Sequence, residues 1–202
     1  MMNISKIHLS SSELELMQNA EIILTKNKIL EKVREMLGGI QEQQTALVKQ
    51  LSLKDEIFTV PPKISRGENY MGLPYLILDY PRQSSAGRFF FIRSMFWWGR
   101  FFSCTLHLAG EAKDLYKENI RQSVRELKNN FIGVTDDQWI HHLEDTHYKR
   151  IGSLTKTEFE QYCDQFSHLK IAAKFSLSEW TGAPSNLFEC WMFYLRTCGL
   201  IS

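Results

Sequence analysis

Cysteine is scarce and scattered. The 202-residue chain holds four, Cys104, Cys163, Cys190 and Cys198, with no C-x-x-C pair among them. That excludes the common zinc and dithiol motifs and makes free thiols the expectation. Charge of one sign is lacking too: 24 Lys and Arg against 23 Asp and Glu leave a formal +1. No global field then draws the protein to nucleic acid or an anionic membrane, and partners must be recognised locally. Long apolar runs are absent. The longest, Phe89 to Trp98, is interrupted by Arg93 and is far shorter than the roughly 20 residues of a membrane-spanning helix. The opening MMNISKIHLSSSELELMQ lacks the basic flank and apolar stretch of a secretory signal. A cytoplasmic chain with no membrane partner is the expectation. No Walker P-loop, no G-x-G-x-x-G between strand and helix, no G-x-S-x-G and no H-E-x-x-H occurs, and there is no internal repeat. No cofactor is indicated.

What is present reads as an α+β chain. Hydrophobic residues make up 44% and charged residues 23%, ordinary for one large or two small globular domains with a real core. From Ser10 to about Leu53 the pattern is helical. Ser11 or Ser12 is placed to cap it, and Ile22, Ile29, Val33, Met36 and Ile40 recur at three-to-four spacing. Gly38 and Gly39 together cost about 2 kcal/mol in a continuous helix, which predicts a kink or break there. Pro61 and Pro62 end this part. The division that follows is an N-terminal helical segment over 1–60 and an α+β domain over 61–202. A homodimer through the N-terminal helices is one partner this segment offers, although Lys26 and Gln43 interrupt its apolar heptad positions.

Residues 75–80, 89–97 and 101–108 read as three strands joined by short connections, hence an antiparallel meander within a sheet of about four to five strands. EAKDLYKENIRQSVRELKN, 111–129, carries Leu115, Ile120, Val124 and Leu127 on one stripe and reads as a covering helix. The segment 131–150 is ambiguous. Thr135 with Gln138 matches a capping box, but Phe131, Ile132 and Val134 prefer strand. Thr155 with Glu158 opens a further helix, Leu169 to Leu177 alternates as a half-buried strand, and Pro184 starts a last amphipathic helix.

RFFFIRSMFWWGRFF, 88–102, packs eight aromatic rings and three arginines into one hairpin. Alternation puts Phe89, Phe91, Arg93, Met95 and Trp97 on one face of the first strand. In the second strand Phe102, Cys104, Leu106 and Leu108 are plainly core. An unpaired guanidinium is costly in a core, so Arg93 belongs on the opposite face, with Ser103, Thr105 and His107, and a three-residue loop Trp98-Gly99-Arg100 achieves that register. Asp79 of the preceding strand is the first available counter-charge and Glu68 the second. A polar island rimmed by Phe89, Phe91, Met95 and Trp97 is what a small-molecule pocket looks like. The competing reading is an ion pair that merely bridges a buried sheet. RNA-binding strands share only the composition of GRFFFIRSMF, with Gly and Arg in the wrong order, and near-zero charge argues against nucleic acid.

Two weaker features complete the candidates. The 65–72 stretch SRGENYMG collects Glu68, Asn69 and Tyr70 beside Arg66 and is expected as a loop or short edge strand. DDQWIHHLEDTH, 136–147, holds three of the six histidines among four carboxylates. As a helix it would bring Asp137, His141 and Glu144 to one face, within reach of a divalent cation. A solvated polar segment is the preferred reading, in which His141, His142 and His147 do not converge and His147 lies farthest out. The expected function is a non-catalytic ligand-binding or protein-interaction domain that holds a small polar or anionic ligand on Arg93, Thr105, His107, Asp79, Ser103 and Trp97 or on Glu68, Asn69 and Tyr70. The alternative is a hydrolytic enzyme, metal-dependent at His141 and Glu144 or acid-base through His107.

Overall fold

A computed structural model describes residues 7–53, 56–85 and 87–201. Five helices and seven strands are described: α1 (Ser11–Gln18), α2 (Ala20–Gln50), β1 (Lys63–Tyr70), β2 (Leu73–Ser85), β3 (Arg88–Trp97), β4 (Phe101–Gly110), α3 (Glu111–Gln122), β5 (Phe131–Gly133), β6 (Tyr148–Arg150), α4 (Lys156–Gln165), β7 (His168–Phe175) and α5 (Ala183–Thr197). All strands join one antiparallel sheet in the order β1-β2-β3-β4-β7-β5-β6. The α+β class with an antiparallel sheet is as expected. The count of seven exceeds the expected four to five because the 65–72 stretch pairs as an edge strand and 131–150 contributes two three-residue strands. Among the described residues no helix is long and apolar enough to cross a membrane.

Register decides what each face carries. Trp97 pairs with Phe101 across the three-residue turn, so Arg93 stands opposite Thr105, Phe91 opposite His107 and Ile92 opposite Leu106. One face then presents Leu76, Leu78, Phe90, Ile92, Phe96, Phe102, Cys104, Leu106, Leu108 and Ile171, all in the main hydrophobic core. α2, α3 and α5 cover it: Leu30, Val33, Leu37 and Ile40 of α2 and Leu187, Trp191, Tyr194 and Leu195 of α5 join the same core. A shift of pairing between Asp79 and Arg82 leaves Tyr80 and Pro81 outside the regular ladder, which accommodates a proline in an interior strand. Trp191 Nε1 donates to Tyr80 O at 2.6 Å and ties α5 to that bulge. Gly110 turns β4 into α3 at φ +57°, and a Cβ there would lie 2.0 Å from Gly87 O, so only glycine fits.

Several helix expectations need correction. α2 passes through Gly38 and Gly39 unbroken. Leu37 and Ile40 on either side are fully buried, and that burial outweighs the intrinsic cost of two glycines. The break falls instead at Asn19, and the cap of α1 is Ser10, whose side chain and Glu13 form a capping box. α3 stops at Gln122 and buries Ala112, Tyr116 and Ile120, leaving Leu115 exposed. Thr155 and Glu158 do form the capping box of α4. Thr135 and Gln138 do not start a helix. Residues 134–147 are an irregular strap in which Asp137 Oδ1 caps the Trp139 amide at 2.8 Å, an Asx turn that competes with helix.

Candidate functional site

The strap lies on the sheet face away from the helices, and the alternation that fills the helix side with hydrocarbon puts polar groups under it. Arg93 makes a two-point ion pair with Asp79, Nε to Oδ1 at 2.7 Å and Nη2 to Oδ2 at 2.9 Å. The Asp79 side chain is 9% exposed, and the planar guanidinium fork suits its carboxylate. Arg93 Nη1 also donates to His141 Nε2 at 2.9 Å. Arginine has no acceptor to offer, so that nitrogen of His141 carries a lone pair and the ring is neutral with its proton on Nδ1. Burial, reinforced by the charges of Lys170 and Arg93, holds His141 well below the usual histidine range.

Thr105 and His107 stand beside this pair on β4, and with Phe89, Phe91, Arg93, Trp139 and His141 they enclose a cavity of about 10 Å³. That is room for one water molecule at most. His107 is 4% exposed, and its Nε2 finds no hydrogen-bond partner among the described residues. Its ring meets the Gln138 side chain and packs on Phe89 at 4.5 Å between centroids. Desolvation, then the charges of Lys170, His168 and Arg93, depress its pKa to about 2. His107 is therefore a neutral hydrogen-bonding group at any ordinary pH. It is a poor proton shuttle, because its conjugate acid is far too acidic for work near neutrality.

The strap is fastened at several points. Lys170 of β7, 2% exposed and opposite His107 in the sheet, donates Nζ to Gln138 O at 3.0 Å and Ile140 O at 2.5 Å. Burial and the neighbouring Arg93 lower its pKa to about 7, against a small opposing effect of Asp137. Tyr148 Oη donates to Ile140 O at 2.9 Å. Tyr70 Oη accepts the amides of His141 and His142 at 2.7 and 3.1 Å and meets His142 Nδ1 at 2.9 Å. Between these fastenings Trp139 lies over the cavity while remaining 57% exposed.

Not every candidate residue reaches the cavity. Ser103 is buried on the same face, opposite Met95, but outside the cavity lining. Trp97 belongs to a separate apolar cluster with Ile77, Met95 and Phe101, and donates Nε1 to Tyr70 O at 3.2 Å. Glu68 is exposed and engages Arg66 at 2.5 Å and Lys26 at 3.1 Å rather than Arg93. Asn69 Oδ1 accepts the Gly72 amide at 3.0 Å and closes the β1–β2 turn. With no helix in 134–147, the face on which Asp137, His141 and Glu144 were to meet does not form. His141 turns inward to Arg93. His142 and His147 come together instead, ring centroids 5.0 Å apart, so His141 rather than His147 is the outlier.

Sequence reasoning missed Lys170, Trp139 and Gln138. Lys170 falls at the polar phase of an alternating strand, which reads as a solvent-facing position, and the strap residues that cover it are brought in by a loop path that no periodicity encodes. Compared with family models, curated proteins and solved structures, the chain matches none.

Proposed function

We propose that this protein is a non-catalytic binding domain, placed in the cytoplasm, that takes a small polar or anionic ligand on the strap-covered sheet face. The observation that carries the reading is His107 Nε2, buried without a partner in a cavity it shares with the guanidinium of Arg93 and the hydroxyl of Thr105. Among the side chains that line the cavity, it is the polar atom that is buried and left for a ligand to satisfy. Arg93, paired with Asp79, and Lys170, held by two strap carbonyls, both bring positive charge to bear on His107, which supports an oxyanion as the added ligand. If Gln138 accepts the Nδ1 proton of His107, Nε2 offers a lone pair, which suits a ligand with a hydroxyl or acid proton beside its anionic oxygen. The closed cavity holds no more than a water, so the ligand enters only when Trp139, the removable cover, moves aside. Depression of the His107 pKa supports binding over acid-base hydrolysis.

Calorimetry on metal-free protein with acetate, glycolate and inorganic phosphate tests this. Glycolate or phosphate should bind more tightly than acetate, and Arg93→Met should abolish the heat. Equal, unsaturable responses to all three, unchanged in Arg93→Met, would reject the site.

The N-terminal helices support a second role, self-association. α1 buries no residue, and Leu14, Leu16, Met17, Ile22, Ile23 and Leu24 are exposed. An eight-residue helix that buries none of its residues is not stable by itself. The charge pattern supports a second copy as the occupant: Glu13, Glu15 and Glu21 precede Lys28 and Lys32, which an antiparallel pair of these arms would match acidic to basic. Light scattering on the full chain should give a dimer that Ile23→Glu converts to monomer; a monomer at all concentrations would exclude it.

A further inference from the structure

The strap has an outer side as well as an inner one. While His141 points in toward Arg93, the next residue begins a cluster of a different kind. One ligand-capable atom each from His142, Glu144 and His147 lies within 4.8 Å of the other two. His142 Nε2 is 4.0 Å from Glu144 Oε2, and the two imidazole rings stand nearly perpendicular, 87° apart. We propose that His142, Glu144 and His147 form a site for one divalent transition-metal ion of the zinc class.

The backbone already holds these three side chains close. The amides of His147 and Tyr148 both donate to Glu144 O at 2.9 Å, closing a turn that folds His147 back over Glu144. Val134 N donates to His147 O at 2.8 Å and anchors that turn beside β5. The His142 end is pinned by Tyr70. Donor atoms about 2.1 Å from a tetrahedral zinc ion are about 3.4 Å apart, so closing the cluster asks for side-chain movement on the order of 1 Å. The Glu144 side chain is 62% exposed and free to make it. Two imidazoles and one carboxylate are a zinc ligand set that leaves a coordination position open.

Tyr70 supplies the outer partner that a ligating histidine needs. Without metal its Oη accepts two amides, so its own proton goes to His142 Nδ1 and the imidazole proton sits on Nε2. Metal binding at Nε2 moves that proton to Nδ1. The Tyr70 hydroxyl rotates to donate elsewhere, and Oη keeps the short bond from the His141 amide while exchanging the 3.1 Å bond from the His142 amide for one from Nδ1. No proton is lost or gained. The site is independent of the ligand reading above, since none of its three residues lines the cavity.

The full chain, stripped with chelator, should bind one equivalent of cobalt(II) with the visible absorption of a low-coordinate ion, displaceable by zinc(II). Zinc should raise its melting temperature. His147→Ala and Glu144→Gln should each weaken binding at least tenfold and remove the melting shift, whereas His8→Ala, which removes an exposed histidine elsewhere, should leave both intact. Each variant is compared with its own metal-free form, so a folding defect is seen separately, and the exposed Glu144 decides if His147→Ala does not fold. Absence of a cobalt spectrum and of a zinc shift at tenfold excess, or undiminished binding in Glu144→Gln, overturns the proposal.

Discussion

The helix side of the sheet and the strap side are made from alternate residues of the same strands, yet they are held by different physics. On the helix side Phe90, Phe102, Cys104, Leu106 and Leu108 share one hydrophobic core with side chains of α2, α3 and α5. On the strap side Asp79, Thr105, His107 and Lys170 are nearly as buried and Arg93 is half-buried beside them, and each needs a partner. Burying an aromatic side chain contributes about 2 to 3 kcal/mol, while a buried ion pair often no more than offsets its own desolvation. Stability should therefore reside mainly on one face and specificity on the other.

Truncating the helix side should have the largest effect. Phe102 is fully buried against Phe96 and Trp180, and Phe102→Ala should cost about 3 to 5 kcal/mol in denaturant unfolding. Arg93→Met should also destabilise, by about 3 kcal/mol, because it strands the Asp79 carboxylate. The informative variant is Asp79→Leu with Arg93→Met. It should recover most of that loss, returning to within about 1 kcal/mol of the parent. A double variant as unstable as the single one would mean that the strap side, too, is a structural core.

Acid should separate the faces next. His107, with its pKa near 2, and His168, held near 4 by burial and by Lys170, stay neutral in the folded chain where an unfolded histidine takes up a proton. The unfolded state then binds more protons, so stability falls as pH drops from about 6.5 toward 4. Lys170 works the same way at higher pH. With a folded pKa near 7 against 10.5 unfolded, it makes stability rise from about pH 7 to pH 10. The groups that face it are Arg93, Asp137 and Tyr148, and Lys170→Met should flatten this upper limb in unfolding measurements across pH. Phe102→Ala should lower the whole curve without changing its shape.

These contrasts also explain what could be read in advance. The Arg93 to Asp79 pair was legible because strand alternation, a three-residue turn and the cost of an unpaired guanidinium all point to one register. The meander and the Thr155 cap were legible for similarly local reasons. The strap was not. Its residues carry helix-like signals at Thr135 and Gln138, and only the Asx turn at Asp137 together with the Lys170, Tyr148 and Tyr70 anchors, 8 to 72 residues distant in the chain, fixes the observed path. Gly38 and Gly39 misled for the opposite reason, since a local penalty was overridden by burial of Leu37 and Ile40.

The smallest effect on stability should come from Trp139, and it is the sharpest test of what the strap side is for. The indole is more than half exposed, makes edge contacts with Phe89 and His107, and closes the cavity without a side-chain hydrogen bond being part of that closure. Its backbone position is fixed by Asp137 Oδ1, which a substitution leaves in place. Trp139→Ala should therefore cost less than about 1 kcal/mol, as changes at exposed positions do outside special features. If Trp139 only shields a structural ion pair, the variant should show that small loss and nothing else. If it covers a binding site, removing it takes away the barrier to entry while leaving Arg93, Thr105 and His107 in position. Stopped-flow measurement with inorganic phosphate should then show association at least several-fold faster than in the parent, with dissociation accelerated as well. Unchanged rates in both directions would show that Trp139 is not the cover.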